Sequence, residues 1–195
     1  MTAITRTGAS PAQAVTRETS LDETLIGRIA GGDQLAMRTL FARHRVPIYR
    51  WLLRIVHDET LAEDLLSDVF LDVWRKAAAF EGRSSVSTWL LAIARYKALS
   101  ALRCRSDAEL DARIATTIPD PADDPEAALQ KKSRSELLRN SLAELSPEHG
   151  EVIDLVYYHG KSVKEVADIV GVGEATVKTR MFYARKKLAD LVVAA

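Results

Sequence analysis

Apolar residues recur every three or four positions along almost the whole chain, and no stretch alternates apolar and polar long enough to make a strand. The pattern predicts an all-α protein. Ser20 and Glu23 have the spacing of a capping box, and Leu21, Leu25 and Ile29 follow at helical intervals until Gly31-Gly32 breaks the run. Asp33 can cap a second helix with Leu40, Val46, Tyr49, Leu52, Leu53 and Val56 buried and His57-Asp58 at its end. Thr60 and Glu63 repeat the capping pattern before a third helix, whose apolar residues are Leu65, Val69, Val73, Trp74 and Ala77. The loop Glu81-Gly82-Arg83-Ser84-Ser85 interrupts it. Ser87 or Thr88 then caps a fourth helix running to about Arg105.

From Ser106 the periodicity weakens, and the acidic, proline-punctuated stretch Pro119-Asp120-Pro121-Ala122-Asp123-Asp124-Pro125 cannot bury much surface. Periodicity resumes near Glu126. The expected organisation is a disordered tail over 1–19, a four-helix domain over 20–105, a flexible linker over 106–130 and a second small helical domain over 131–195. Ser146-Pro147 offers an N-cap followed by proline at the first helical position, where its missing N–H does no harm.

The last fifty or so residues carry the sharpest signal. Ser162-Val163-Lys164-Glu165 opens a short helix with a capping box, Gly171-Val172-Gly173 stops it, and Glu174 starts a longer one, the order that a helix-turn-helix requires. Ala167 is small where the two helices approach, Gly171 can take the positive φ of the turn, and Val177 suits the space between them. The longer helix puts Val177, Met181, Ala184 and Leu188 on its inner face. It displays Lys178, Arg180, Arg185, Lys186 and Lys187 among Thr176, Thr179, Phe182 and Tyr183, which suits phosphates and base edges in a major groove.

Charge narrows this picture. Lys and Arg number 27, as do Asp and Glu, so DNA contact must come from local clusters rather than from a basic protein as a whole. Asp64, Asp68 and Asp72 recur every four residues with Glu63 beside them, like charges stacked on one helix face at a cost of about 0.2 to 0.5 kcal/mol per pair. Such a stripe is either a solvated outer surface or a dock for a basic partner. Cys104 stands alone, so neither an internal disulfide nor a cysteine-cluster metal site can form, as suits a reducing cytoplasm. No run of eighteen uncharged apolar residues exists, so no membrane insertion is expected.

From Leu145-Ser146-Pro147-Glu148 through Val163-Lys164-Glu165-Val166-Ala167 to Ala175-Thr176-Val177-Lys178-Thr179-Arg180-Met181-Phe182-Tyr183-Ala184-Arg185-Lys186-Lys187-Leu188, the chain resembles the fourth region of extracytoplasmic-function sigma factors, within the bacterial sigma-70 family. The resemblance implies reading of the minus 35 promoter element by Lys178, Thr179, Phe182 and Tyr183, with Arg180, Arg185 and Lys186 on the backbone. Ala62-Glu63-Asp64-Leu65-Leu66-Ser67-Asp68-Val69-Phe70-Leu71-Asp72-Val73-Trp74 resembles the second region of the same family. That implies an acidic handle, Glu63, Asp64, Asp68 and Asp72, for the clamp helices of the largest subunit of core RNA polymerase. Thr88-Trp89-Leu90-Leu91-Ala92-Ile93-Ala94-Arg95 resembles the helix with which the family recognises and opens the minus 10 element. Arg83, Ser84, Ser85, Trp89, Arg95, Tyr96 and Lys97 are the residues so implied, although Trp74 and Trp89 suit ordinary core packing better. An anti-sigma factor, released under stress, is a further implied partner. No cofactor is implied.

An enzyme finds little support. Gly160-Lys161-Ser162 ends like a phosphate-binding loop, but Leu155 stands where its first glycine belongs, and His44, His57, His149 and His159 lack a metal-ligand spacing. Two other classes fit the helix-turn-helix: an autonomous repressor or activator that binds DNA without polymerase, and an interaction module that never touches DNA.

Overall fold

The computed structural model describes the backbone of residues 11–111, 142 and 144–193, with side chains over 20–105, 142 and 144–191. Every regular element among them is helical: α1 (Pro11–Ala30), α2 (Gln34–Val56), α3 (Glu59–Lys76), a tight turn at Ala77–Ala79, α4 (Val86–Asp111), α5 (Pro147–Ile153), a wide turn at Asp154–Tyr158, α6 (Val163–Val170) and α7 (Glu174–Val193). The chain divides into two compact units, Met1–Ala98 and Leu99–Ala195. The residues from Pro119 to Pro125 that the sequence assigns to a linker, and the resumption of periodicity near Glu126, lie outside the described residues.

In the first unit, helix ends are set by side chains and backbone geometry together. Gly32 takes φ 85° just after α1, and Asp33 accepts hydrogen bonds from the N–H groups of Leu35 and Ala36, satisfying two donors that α2 leaves free. His57 ends α2 in the left-handed conformation. Leu25, Ile26 and Ile29 of α1, Leu40, Ile48, Trp51 and Leu52 of α2, and Leu65, Val69 and Val73 of α3 fill the core. Phe41 of α2 meets Phe70 of α3 edge to face, with ring centroids 4.8 Å apart. Asp22 of α1 is buried but paired, 2.8 Å from Arg43 and 2.7 Å from His44, both on α2.

Several sequence expectations shift here. Ser20 lies inside α1, which begins at Pro11, so helix replaces the expected tail over 11–19. Val46 is exposed, and Ile48 and Trp51 take the interior, because the apolar positions of α2 leave two faces open to burial. Asp58, not Thr60, caps α3 through the Leu61 N–H. Trp74 faces outward, and Ala62 and Phe70 are buried instead. Ser85, rather than Ser87 or Thr88, caps α4 by accepting from the Thr88 N–H, and α4 continues six residues beyond Arg105.

The second unit keeps the expected helix-turn-helix. Ser162 and Glu165 form a complete capping box, the serine hydroxyl accepting from the Glu165 N–H and the Glu165 carboxylate from the Ser162 N–H. Gly171 then takes φ 76° and donates to the Ala167 carbonyl at 2.8 Å, which ends α6 and turns the chain toward α7. Between α5 and α6 the backbone widens, with the His159 N–H reaching the Asp154 carbonyl five residues earlier. Nothing crowds a Cβ at Gly171, so only its left-handed backbone opposes a side chain. Gly171→Ala is therefore expected to destabilise the protein by about 1 kcal/mol. A lowered urea midpoint with an unchanged slope, followed by circular dichroism, checks it.

Candidate functional site

In α7, packing decides which side chains face out. Val177, Met181 and Ala184 are buried, Leu188 packs with the cluster of Leu145, Ile153 and Ala184, and the opposite side must face solvent. Lys178, Thr179, Phe182, Tyr183, Arg185 and Lys186 are all exposed there, Phe182 at 62%. Lys178 and Lys186 make no ion pair among the described residues, so their charge is available to an anion. With Val163, Met181, Phe182 and Arg185 they line a groove of about 440 Å³ whose walls combine apolar and cationic side chains. The Phe182 and Tyr183 rings meet edge to face at 5.4 Å. Thr179 donates its hydroxyl hydrogen to the Ala175 carbonyl and keeps only lone pairs for a further partner.

Arg180 behaves differently. Its side chain is 18% exposed and pairs with Glu148 of α5 at 3.1 Å, so it ties the long helix to its support. Nothing in the local sequence pattern marks Glu148 as the partner of Arg180. Helical periodicity likewise does not single out Tyr157, an exposed ring in the wide turn that the Arg185 guanidinium overlies at 5.9 Å. The available signal was the pair Tyr157-Tyr158 directly before a His-Gly break, where a helix would have hidden at most one ring. Lys161, from the rejected phosphate-loop pattern, is buried. Burial lowers its ammonium pKa, and Glu165, 3.5 Å away, partly opposes that shift.

In the first unit, Glu63, Asp64 and Asp68 line the exposed edge of α3, and Asp72 turns partly inward. Its carboxylate is 2.9 Å from Lys76, one turn along the same helix, and 3.4 Å from Lys97 of α4. Lys97 also reaches Asp68 at 3.8 Å. The hydrogen bond from Lys76 and the positive charge of Lys97 hold the Asp72 carboxyl below its ordinary range, against the opposing effect of desolvation. The stripe is thus acidic at one end and compensated at the other.

The residues expected near the opened strand are brought together only in part. Arg83 is highly exposed and ion-paired with Glu81. Ser84 is half-buried, and Ser85 uses its hydroxyl on the helix start and on the Thr88 hydroxyl at 2.8 Å. Trp89 leans on Phe80 with ring centroids 5.1 Å apart, and Arg95 is half-buried. Tyr96 is 76% exposed. Lys97 faces the acidic edge of α3 instead. Among the described residues, no group of His, Cys, Asp and Glu is placed to hold a metal ion, and no helix is long and apolar enough to cross a membrane.

Residues 40–107 match the model of sigma-70 region 2, and residues 135–188 match that of sigma-70 region 4. The chain is 28% identical over 169 residues to the ECF RNA polymerase sigma factor SigK of Mycobacterium tuberculosis, covering 85% of this chain and 90% of that protein. It is 29% identical over 163 residues to SigL of the same species, covering 82% and 90%. The chain is an extracytoplasmic-function sigma factor of the sigma-70 family. As a sigma factor it directs transcription initiation and is not an enzyme. Among solved structures, CnrH in complex with the cytosolic domain of CnrY aligns with a TM-score of 0.64 and 26% identity, covering 89% of this chain and 98% of that one. The sigma factor RpoE in complex with the anti-sigma factor NepR from Bartonella quintana aligns with the same score and identity, covering 80% and 95%.

The lowered pKa of Asp72 fixes a sign for the sigma factor's acid stability. A carboxyl held below its unfolded value contributes stability above that value, and the contribution is lost as pH falls through the folded pKa. Asp72→Asn is expected to flatten the decline in stability below about pH 4 while leaving the decline due to other carboxylates in place. Urea titrations from pH 7 to pH 3 check it.

Proposed function

We propose that this sigma factor divides promoter recognition among three surfaces. The outward face of α7, with Lys178, Thr179, Phe182, Tyr183, Arg185 and Lys186, reads the minus 35 element. Arg180 steadies that helix through Glu148. The exposed part of the acidic edge of α3, Glu63, Asp64 and Asp68, docks on the clamp helices of the polymerase largest subunit. The loop ahead of α4, with Arg83 and Ser84, and the outer side of α4, with Tyr96, meet the opened minus 10 strand. Trp89 and Ser85 support that surface from beneath.

The observation that carries this reading is the contrast within α7. Its apolar side is locked into the domain, while Phe182 and two lysines without ion pairs among the described residues stand outward. Aromatic and cationic groups so presented suit base edges and phosphates together. A flipped base costs a few kcal/mol to unstack, and an exposed ring such as Tyr96 offers a stacking surface in return. The complex of the sigma factor RpoE with the anti-sigma factor NepR supports control of this chain by an anti-sigma factor that covers these surfaces until a stress signal arrives. The site of action is then the cytoplasm, with core polymerase and promoter DNA.

Run-off transcription with purified core polymerase tests the division of labour. Asp64→Lys with Asp68→Lys is expected to abolish transcripts that depend on the protein while leaving the helix-turn-helix folded. Phe182→Ala is expected to reduce output from a promoter with an intact upstream element by roughly five-fold or more, as loss of a base contact worth about 1–3 kcal/mol implies. Full transcription by the double-lysine protein would remove the acidic edge from the polymerase interface, and upstream-element dependence unchanged by Phe182→Ala would remove that ring from DNA recognition.

A further inference from the structure

Lys97 stands where the proposed polymerase-docking edge of α3 and the proposed strand-binding side of α4 adjoin, so any role for it rests on the proposed function of both surfaces. Its ammonium is shared by Asp72 at 3.4 Å and Asp68 at 3.8 Å, and the side chain is 18% exposed. Its neighbour Tyr96 is 76% exposed. On this side of α4 the stacking surface is therefore open while the phosphate-binding charge is masked. The two carboxylates take up the charge of Lys97 that a phosphate would otherwise meet.

The two acids are not equivalent. Asp72 is 20% exposed and keeps a second cation, Lys76, at 2.9 Å, so it remains paired if Lys97 leaves. Asp68 is 59% exposed and lies on the edge offered to a basic partner. We propose that Asp68 is an electrostatic latch: in the free protein it helps Asp72 hold Lys97 off DNA, and basic groups of polymerase that take up Asp68 release Lys97 to a phosphate of the minus 10 strand. Core binding and strand binding then favour one another, and by linkage each favours the other by the same factor. For a partly exposed ion pair that factor is about two to five.

Two measurements on the full chain test the latch. The first is the acylation rate of the Lys97 amine, read by mass spectrometry. It is expected to rise about two- to five-fold in Asp68→Asn, and to rise on addition of core polymerase although a large protein has bound nearby. A rate unchanged by Asp68→Asn, or lowered by core, overturns the latch. The second is anisotropy of a labelled single-stranded oligonucleotide carrying the non-template minus 10 sequence. Asp68→Asn is expected to tighten its binding to the free protein by a similar factor and to change little in holoenzyme saturated with core. Asp64→Asn makes the same change in net charge one turn away and is expected to gain less. The Asp68→Asn gain is expected to vanish in a Lys97→Gln background. Equal gains from Asp64→Asn and Asp68→Asn, or a gain that survives Lys97→Gln, overturn the latch. Core titrations separate docking from latching: if neither Asp64→Asn nor Asp68→Asn weakens core binding, the docking assignment falls and the latch with it. If Asp68→Asn weakens core binding without raising Lys97 reactivity, the latch alone falls.

Discussion

A chain whose 27 basic and 27 acidic side chains cancel can attract DNA or polymerase only where like charges gather and opposite charges stay apart. That constraint runs through both units. On α7, Lys178 and Lys186 make no ion pair among the described residues, and the outward face of their helix is a cationic strip. On α3, Glu63 and Asp64 make an anionic one, which Asp68 extends while it also faces Lys97. Elsewhere charges meet: Arg83 with Glu81, Arg28 with Asp33, Arg180 with Glu148, and Lys76 and Lys97 with Asp72. Paired charges that are exposed add little stability, typically below about 1 kcal/mol each, so their larger effect here is on which groups are left to bind.

Packing enforces the separation. The α7 strip faces solvent because Val177, Met181 and Ala184 are buried on the other side, and the helix is set at its angle by the Gly171 turn and the Ser162 capping box. In the first unit the same logic holds α1. Leu25, Ile26 and Ile29 bury its inner face, and Asp22 is committed to Arg43 and His44 on α2. A buried carboxylate is tolerable only with such partners, and stripping them away would leave an uncompensated charge at a cost of several kcal/mol. The match to sigma-70 region 2 begins at residue 40, yet α1 is bound into the same core by an acid and by apolar burial.

The sequence was most informative where a local rule leaves few choices. The Ser162 box, the Gly171 turn, the Asp33 cap and the inner face of α7 all follow from residue type at fixed spacing, and all four are present. It was less informative where neighbouring residues offered rival solutions. Asp58 and Thr60 could each cap α3, and Ser85, Ser87 and Thr88 could each cap α4. The earlier residue serves in both cases, because its side chain reaches a helix N–H three positions on. Trp74 and Val46 look like core by hydropathy, and the crowded apolar pattern of α2 and α3 gave no means of seeing that Trp51, Ile48 and Phe70 would fill the interior first. The wide turn at Asp154–Tyr158 has no single-residue signature, so the exposure of Tyr157 was hidden with it.

The same distinction explains the functional residues. Charge type was readable, and charge pairing was not, because pairing depends on distances between helices that periodicity does not encode. Arg180 and Lys97 both read as DNA-binding cations, and both are turned toward acids on another helix. The two cases have different consequences. Glu148 is the acid found with Arg180, and removing Arg180 from it would loosen the attachment of α7 to α5, so that arginine is best used in place. Asp72 keeps Lys76 when Lys97 departs, and Asp68 lies on an edge that a basic partner can claim. An ion pair whose acid has a second cation costs less to exchange, and the pair of Asp72 and Lys97 meets this condition beside the proposed docking edge of α3.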